Sequence, residues 1–181
     1  MMKATVFLLF VTFANAFNFG YVERTPVIAG DTKPLGEFDP LKLSQDETGS
    51  RKLFFREAEL KHARLGMISS LSIPVIEQFT HRPAIYELSN HANLALGLLA
   101  LMMATETTLM VNGWENPFTT KKLFTLKQSY QPGDLGFTDI QDFSTPENTA
   151  LLNKELNNGR LAMIASLGMI VQELVTNRPL L

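Results

Sequence analysis

Apolar residues gather in three stretches of this chain, and polar residues mark the turns between them. The first runs from about Phe54 to Phe79 and the third from about Ala150 to Thr176. Each has charges in its opening turns and again near its end, at Glu77 and Glu173. The second, Leu94 to Val111, is apolar apart from threonines and one carboxylate, Glu106. Stretches of this character predict helices close to or beyond the roughly 20 residues that cross a bilayer. Arg82-Pro83 and Asn177-Arg178-Pro179 close the outer two, because proline cannot continue a helix. The pattern predicts an all-α membrane protein with three transmembrane helices, about 54–79, 94–111 and 150–176. The loops between them hold Trp114-Glu115-Asn116-Pro117 and Gln131-Pro132-Gly133-Asp134. Trp114 and Tyr86 read as interfacial anchors, and His81 as a loop residue.

The outer two stretches are copies of one another. Glu59-Leu60-Lys61-His62-Ala63-Arg64-Leu65-Gly66-Met67-Ile68-Ser69-Ser70-Leu71 aligns without a gap on Glu155-Leu156-Asn157-Asn158-Gly159-Arg160-Leu161-Ala162-Met163-Ile164-Ala165-Ser166-Leu167. The match continues through Val75/Val171, Glu77/Glu173, Thr80/Thr176 and Arg82-Pro83/Arg178-Pro179. Turn-rich arms precede both copies: Leu35-Gly36-Glu37-Phe38-Asp39-Pro40-Leu41 leads into the first, Pro132-Gly133-Asp134-Leu135-Gly136-Phe137 into the second. Such repetition predicts a pseudo-two-fold axis.

Ionisable groups inside a membrane helix are costly and by default functional. At about 100° per residue, Glu59 and His62 lie roughly 60° apart, whereas Arg64 is about 160° from His62. Two copies crossing about a two-fold axis can therefore aim Arg64 at Glu155 and Arg160 at Glu59. That would neutralise four charges costing about 2.5–3.5 kcal/mol each at mid-membrane. Small residues at Ala63, Gly66, Gly159 and Ala162 supply the close approach that a crossing needs. A carboxylate accepts at about four sites, so each glutamate keeps lone pairs after pairing. Single, separated N or O donors suit a chlorophyll, whose ring already holds magnesium and leaves an axial position open. Gln172 returns to nearly the same face as Asn158, about 21 Å further along the helix.

Charge and composition narrow the alternatives. Sixteen basic against eighteen acidic residues give a formal charge of -2, without the basic stripe that tracks phosphates, so no nucleic acid is expected as a partner. The chain has no cysteine, which excludes thiolate metal sites and disulfides. Glu59-x-x-His62 is also half of a di-iron helical-bundle ligand set, but Asn158 stands where the second histidine is needed. No nucleophile motif accompanies the three histidines, so an enzyme is not expected. Salt-bridged helices without pigment are the plain structural alternative. Glu106 and His91 are further candidate ligands, each with a simpler reading as a satisfied helix group or a helix start. Met67, Met163, Met102 and Met103 read as packing. At the N-terminus, Met1-Met2-Lys3, the apolar Val6 to Phe13 and Ala14-Asn15-Ala16 have the layout of a signal peptide. Residues 1–16 are expected to be cleaved, 17–30 to be a transit segment or flexible N-terminus, and 31–181 to form the single folded domain.

Glu59-x-x-His62-x-Arg64 and Glu155-x-x-Asn158-Gly159-Arg160-Leu161-Ala162-Met163 resemble the paired signatures of the light-harvesting chlorophyll-binding superfamily. The likeness runs from about Pro34 over nearly the whole remaining chain. Ala14-Asn15-Ala16-Phe17 is similar to the junction of bipartite plastid presequences in algae with complex plastids, the alternative being a plain secretory signal. The short loops look more like the fucoxanthin-chlorophyll a/c branch than the green a/b branch. The resemblance implies a light-harvesting antenna of the plastid thylakoid, multi-pass, among thylakoid lipids, other antenna subunits and a photosystem I or II core. A photoprotective quencher or pigment carrier is the alternative within the family. Implied cofactors are chlorophyll a, a second chlorophyll of type c, and fucoxanthin or a related xanthophyll. It further implies that Glu59, His62, Glu155, Asn158 and Gln172 are axial magnesium ligands, with Arg64 and Arg160 as crossed partners. Carotenoids are implied at Asp39, Pro40, Leu41 and Met67, and at Asp134, Leu135, Gly136, Phe137 and Met163. Ala63 replaces a common glycine, Pro74 interrupts the first repeat helix, and Thr138-Asp139 replaces an expected Asp-Pro in the second arm.

Overall fold

The computed structural model describes residues 26–32, 36, 38–44, 49–115, 125–127, 129–134 and 142–180. The expected cleaved segment 1–16 and residues 17–25 lie outside these, as do Leu135, Gly136, Phe137 and the Thr138-Asp139 departure. Four helices are found among the described residues: α1 Ser50–Thr80, α2 Ala84–Asn90, α3 Ala92–Gly113 and α4 Pro146–Thr176.

Local chemistry sets the ends. Thr145 caps α4 by accepting the Asn148 N–H, with Pro146 opening the helix and Glu147 in the first turn, where a negative charge complements the helix dipole. α1 instead starts after Gly49, whose φ of 67° suits a residue without a Cβ. The far ends are twins. His81 and Asn177 turn left-handed, at φ 52° and 50°, and their N–H groups bond the carbonyls of Glu77 and Glu173 at 2.8 Å each. Thr80 and Thr176 hydroxyls bond back to Ile76 and Gln172. Both long helices begin about four residues before the starts expected from hydrophobicity, because capping and turn chemistry, not apolar periodicity, decides where a helix starts. α1 also runs through Pro74 unbroken. α2 occupies part of what the sequence pattern left as loop. It is seven residues long, too short for its periodicity to register. His91 stands in the junction between α2 and α3.

α1 and α4 cross where side chains nearly vanish. Ala63 is fully buried, and its methyl fills the space above Gly159 so closely that any Cβ there would collide with it. One turn along, a Cβ on Gly66 would come within 2.9 Å of Met163 N and Cγ. Leu60, Leu156, Ala162 and Ser166 complete the buried seam. Alanine in place of the commoner glycine thus has its complement in the opposite helix.

α3 is built differently. It contacts α2, and among the described residues its backbone makes no close approach to α1 or α4. Its C-terminal end is fastened by an antiparallel bridge between Trp114 and Leu126, by Lys127 N–H to Gly113 O at 2.9 Å, and by the buried ring of Tyr130 against Gly113. Leu53 and Phe54 of α1 pack against this corner, Phe54 edge-on to Trp114 at 6.0 Å. Among the described residues two helices meet the length and apolarity of a membrane span. They are α3, of which 6% of the span is buried, and α4, with 22%. The outer faces of α1, α3 and α4 expose Ile68, Leu71, Leu99, Leu101, Ile164 and Leu167. Apolar surface on that scale belongs against lipid or ligand.

Candidate functional site

Each arginine of the repeat is a hub joining both crossing helices and one arm. Arg64 Nε donates to Glu155 Oε1 at 2.8 Å, and its Nη2 donates to Gly133 O at 2.7 Å. Arg160 Nε donates to Glu59 Oε1 at 2.7 Å, and its Nη1 to Gly30 O at 3.4 Å. The same two glycines are held from their other side: Gly133 N–H donates to Glu57 Oε2 and Gly30 N–H to Asn153 Oδ1, both at 2.7 Å. Glu57 and Asn153 are equivalent positions of the repeat. Both glycines have positive φ, 104° at Gly30 and 80° at Gly133, and both precede an aspartate. The arms therefore correspond through Gly30-Asp31 and Gly133-Asp134, a register the lead-in segments around Gly36 do not reveal. Gln131 ties the arms together, its amide donating to Val27 O at 2.9 Å and accepting from Val27 N–H at 2.7 Å. Arg56 Nη1 adds a second donor to Glu59, at 2.6 Å to Oε2.

At the opposite end of the crossing, Glu77 and Glu173 are almost wholly buried neighbours. Glu77 accepts the N–H of Leu180, beyond α4, and Glu173 that of Ile85, beyond α1. Each carboxyl thus anchors the segment leaving the other helix. The sequence showed them as repeat partners; their burial depends on the crossing.

The candidate donors sit on the outside of this frame. His62 is exposed, and its Nδ1 lies 2.8 Å from the Ala58 carbonyl, so a hydrogen bond there uses Nδ1 as the donor and leaves Nε2 out of that contact. Asn158 and Gln172 are exposed on α4. Glu59 and Glu155 are half-buried, with lone pairs beyond those their arginines use. Glu106 projects from α3 and meets Lys61 Nζ at 2.7 Å. His91 lies 3.6 Å from Glu87, within its own corner. Among the described residues no three carboxylate or histidine side chains come together to hold a metal ion.

An open cleft of about 720 Å³ separates the first arm from the starts of α1 and α4, lined by Phe38, Asp39, Leu43, Phe55, Glu59 and Arg160 among others. Pro40 and Leu41 form the turn beside it, with Leu41 exposed. The Asp39 carboxylate is committed to its own turn, accepting from the Ser44 hydroxyl and N–H and from Leu43 N–H, which holds its pKa below the usual carboxylate value. Asp142 does the same on the second arm through Ser144. Met67 and Met163 are half-buried at the crossing, and Asp134 closes the turn at Gln131.

Comparison with known proteins identifies the family. The chlorophyll A-B binding protein family model matches residues 26–174. The chain belongs to the chlorophyll a/b-binding protein family. Within it, the chain is similar to a chloroplastic fucoxanthin-chlorophyll a-c binding protein of Isochrysis galbana, 34% identical over 160 residues, covering 82% of this chain and 77% of that protein. It is similar to fucoxanthin-chlorophyll a-c binding protein F of Macrocystis pyrifera, 32% identical over 161 residues, 83% of this chain and 75% of the relative. It is also 33% identical over 173 residues to the light-harvesting complex stress-related protein 3.2 of Chlamydomonas reinhardtii, 87% of this chain but 65% of the relative's length. The likeness places this family member on the red-lineage side of the superfamily.

Proposed function

We propose that this family member is a light-harvesting antenna of the plastid thylakoid, with α1, α3 and α4 as its three membrane-crossing helices and with chlorophyll a, a chlorophyll of type c and a fucoxanthin-type carotenoid as its pigments. One observation carries the reading. Both arginine–glutamate pairs neutralise charge across the crossing while isolated N and O donors face outward from apolar helix surfaces. A protein that needed only salt-bridged helices has no use for His62, Asn158 and Gln172 exposed along those apolar helices.

In this reading Glu59, His62, Glu155, Asn158 and Gln172 each hold one chlorophyll magnesium, and Glu106 and His91 are further ligands. The bound pigments supply light absorption and excitation transfer; the chain supplies spacing, orientation and exclusion of water. The cleft beside Asp39, Pro40 and Leu41 receives one carotenoid end. The second arm, from Asp134 through Leu135, Gly136 and Phe137, receives its counterpart, and Met67 and Met163 flank the polyenes. Residues 1–16 are a cleaved targeting signal, any further transit segment after 17 ends before Val27, and the mature N-terminus includes the arm at Val27 and Gly30. Excitation passes to other antenna subunits and to a photosystem core.

The test is refolding of the full chain with chlorophylls and carotenoid. Gln172→Leu and His62→Leu should each remove one chlorophyll per chain while the complex stays folded. Unchanged stoichiometry in both rejects those ligands, and failure of the wild type to take up any pigment rejects the function. Similarity to the stress-related proteins supports a second reading, a photoprotective quencher. Fluorescence lifetime separates the two, long for an antenna and short for a quencher.

A further inference from the structure

The space between α1 and α3 is crossed at mid-helix by a polar relay. Lys61 Nζ bonds Glu106 Oε2 at 2.7 Å and lies 3.7 Å from Glu57 Oε1. Glu57 is buried and its other oxygen accepts the Gly133 N–H at 2.7 Å. The chain of contacts therefore runs from the second arm through α1 to the middle of α3, where no close backbone contact joins the two helices. Long side chains bridging an apolar gap carry an entropic cost and a desolvation cost. A bridge at this place calls for a reason beyond stability.

The chemistry of the pair supplies one. An ammonium is a compact charge that engages one carboxylate oxygen and leaves the other's lone pairs available. The magnesium of a chlorophyll is already balanced by its ring, so a carboxylate ligand brings an uncompensated negative charge into a membrane interior, where charge is expensive. Glu59 and Glu155 have arginines for this purpose. Glu106 has Lys61. We propose that Lys61 is the positioning residue for Glu106 as a chlorophyll ligand in the space between α1 and α3, fixing the carboxylate through Oε2, cancelling its charge and leaving Oε1 to the magnesium. Glu57 and the second arm hold Lys61 in turn, so this ligand is set by the same frame that sets the crossing. The proposal rests on the antenna reading and adds a residue that touches no pigment metal itself.

The experiment refolds the full chain with chlorophylls and carotenoid as Lys61→Met, Glu106→Leu, Glu106→Gln and the double variant Lys61→Met/Glu106→Gln. Pigment stoichiometry and low-temperature absorption difference spectra are read for each. Lys61→Met and Glu106→Leu should lose the same single chlorophyll and the same absorption band. The double variant should regain it, because an amide oxygen ligates magnesium without needing a counter-charge. A lysine that only braces the helices would not lose the particular chlorophyll and absorption band that Glu106→Leu loses. The proposal is overturned if Lys61→Met keeps the chlorophyll that Glu106→Leu loses, or if the double variant stays deficient while Glu106→Gln alone is complete. If Glu106→Leu keeps its full complement, Glu106 is no ligand and Lys61 positions nothing, while the His62 and Gln172 variants judge the antenna reading separately. Should Lys61→Met fail to fold because it also unpairs the buried Glu57, Glu57→Gln is added to both Lys61→Met variants, and the chlorophyll should return only where Glu106→Gln is present as well.

Discussion

The crossing of α1 with α4 and the wall formed by α3 are both apolar and helical, yet they are held by opposite means. At the crossing the protein is its own partner: Ala63 fills the gap above Gly159, and four charges cancel in two reciprocal pairs. α3 is fixed at its ends by α2 and the Trp114–Tyr130 corner, and by one lysine at its middle, with its apolar sides left for other molecules. Rigidity is concentrated in that one seam, and apolar faces are exposed elsewhere.

Perturbations should therefore be severe at the seam and local at the wall. Arg64→Leu strands Glu155, at about 2.5–3.5 kcal/mol for that charge alone on insertion scales, and Arg160→Leu leaves Glu59 with Arg56 but cuts its tie to α4; each also releases an arm. Neither variant should refold with pigment, and a fully pigmented single variant would remove the ion pairs from the centre of the fold. Gly159→Ala comes next, since its methyl collides with Ala63; overpacking of this kind costs about 1–3 kcal/mol. The complementary exchange, Ala63→Gly with Gly159→Ala, should restore most of the loss in thermal melts followed by pigment circular dichroism. On α3, where among the described residues nothing beyond the helix's own neighbouring backbone lies within 4 Å of a Cβ placed on Gly97, Gly97→Ala should be neutral or stabilising by up to about 1 kcal/mol. Loss of a pigment there instead would locate one against that glycine.

The smallest effect concerns the arm turns. Hydrogen bonds from Ser44 and Ser144 lower the pKa of Asp39 and Asp142 from 3.8. A carboxylate whose folded pKa lies below its unfolded one contributes stability above the unfolded value and loses it as pH falls through the folded one. Between neutrality and pH 5 the arms should thus be insensitive, and only strong acid should loosen them, read as pigment loss without loss of helix. Asp39→Asn should shift that acid limit and leave the α1–α4 seam untouched.

Much of this was legible in the residues. The repeat, the opposed directions of Arg64 and His62 and the three long helices all follow from periodicity, which is local information. What escaped was either short or relational. α2 is below the length at which a pattern shows. The corresponding glycines of the two arms, Gly30 and Gly133, are recognisable only by what grips them, although a Gly-Asp step occurs at both. Glu57 and Lys61 looked like ordinary first-turn charges, and nothing adjacent in sequence marks Gly133 or Glu106 as their partners.

The sequence by itself determined the three long elements and their doubling, because helix formation and face placement depend on neighbours three or four residues apart. Tertiary structure alone decided that Ala63 meets Gly159, that Glu77 and Glu173 each hold the chain leaving the other's helix, and that Lys61 reaches α3. Those contacts join positions tens of residues apart, and they depend on a crossing angle and an interhelical distance that no single helix encodes.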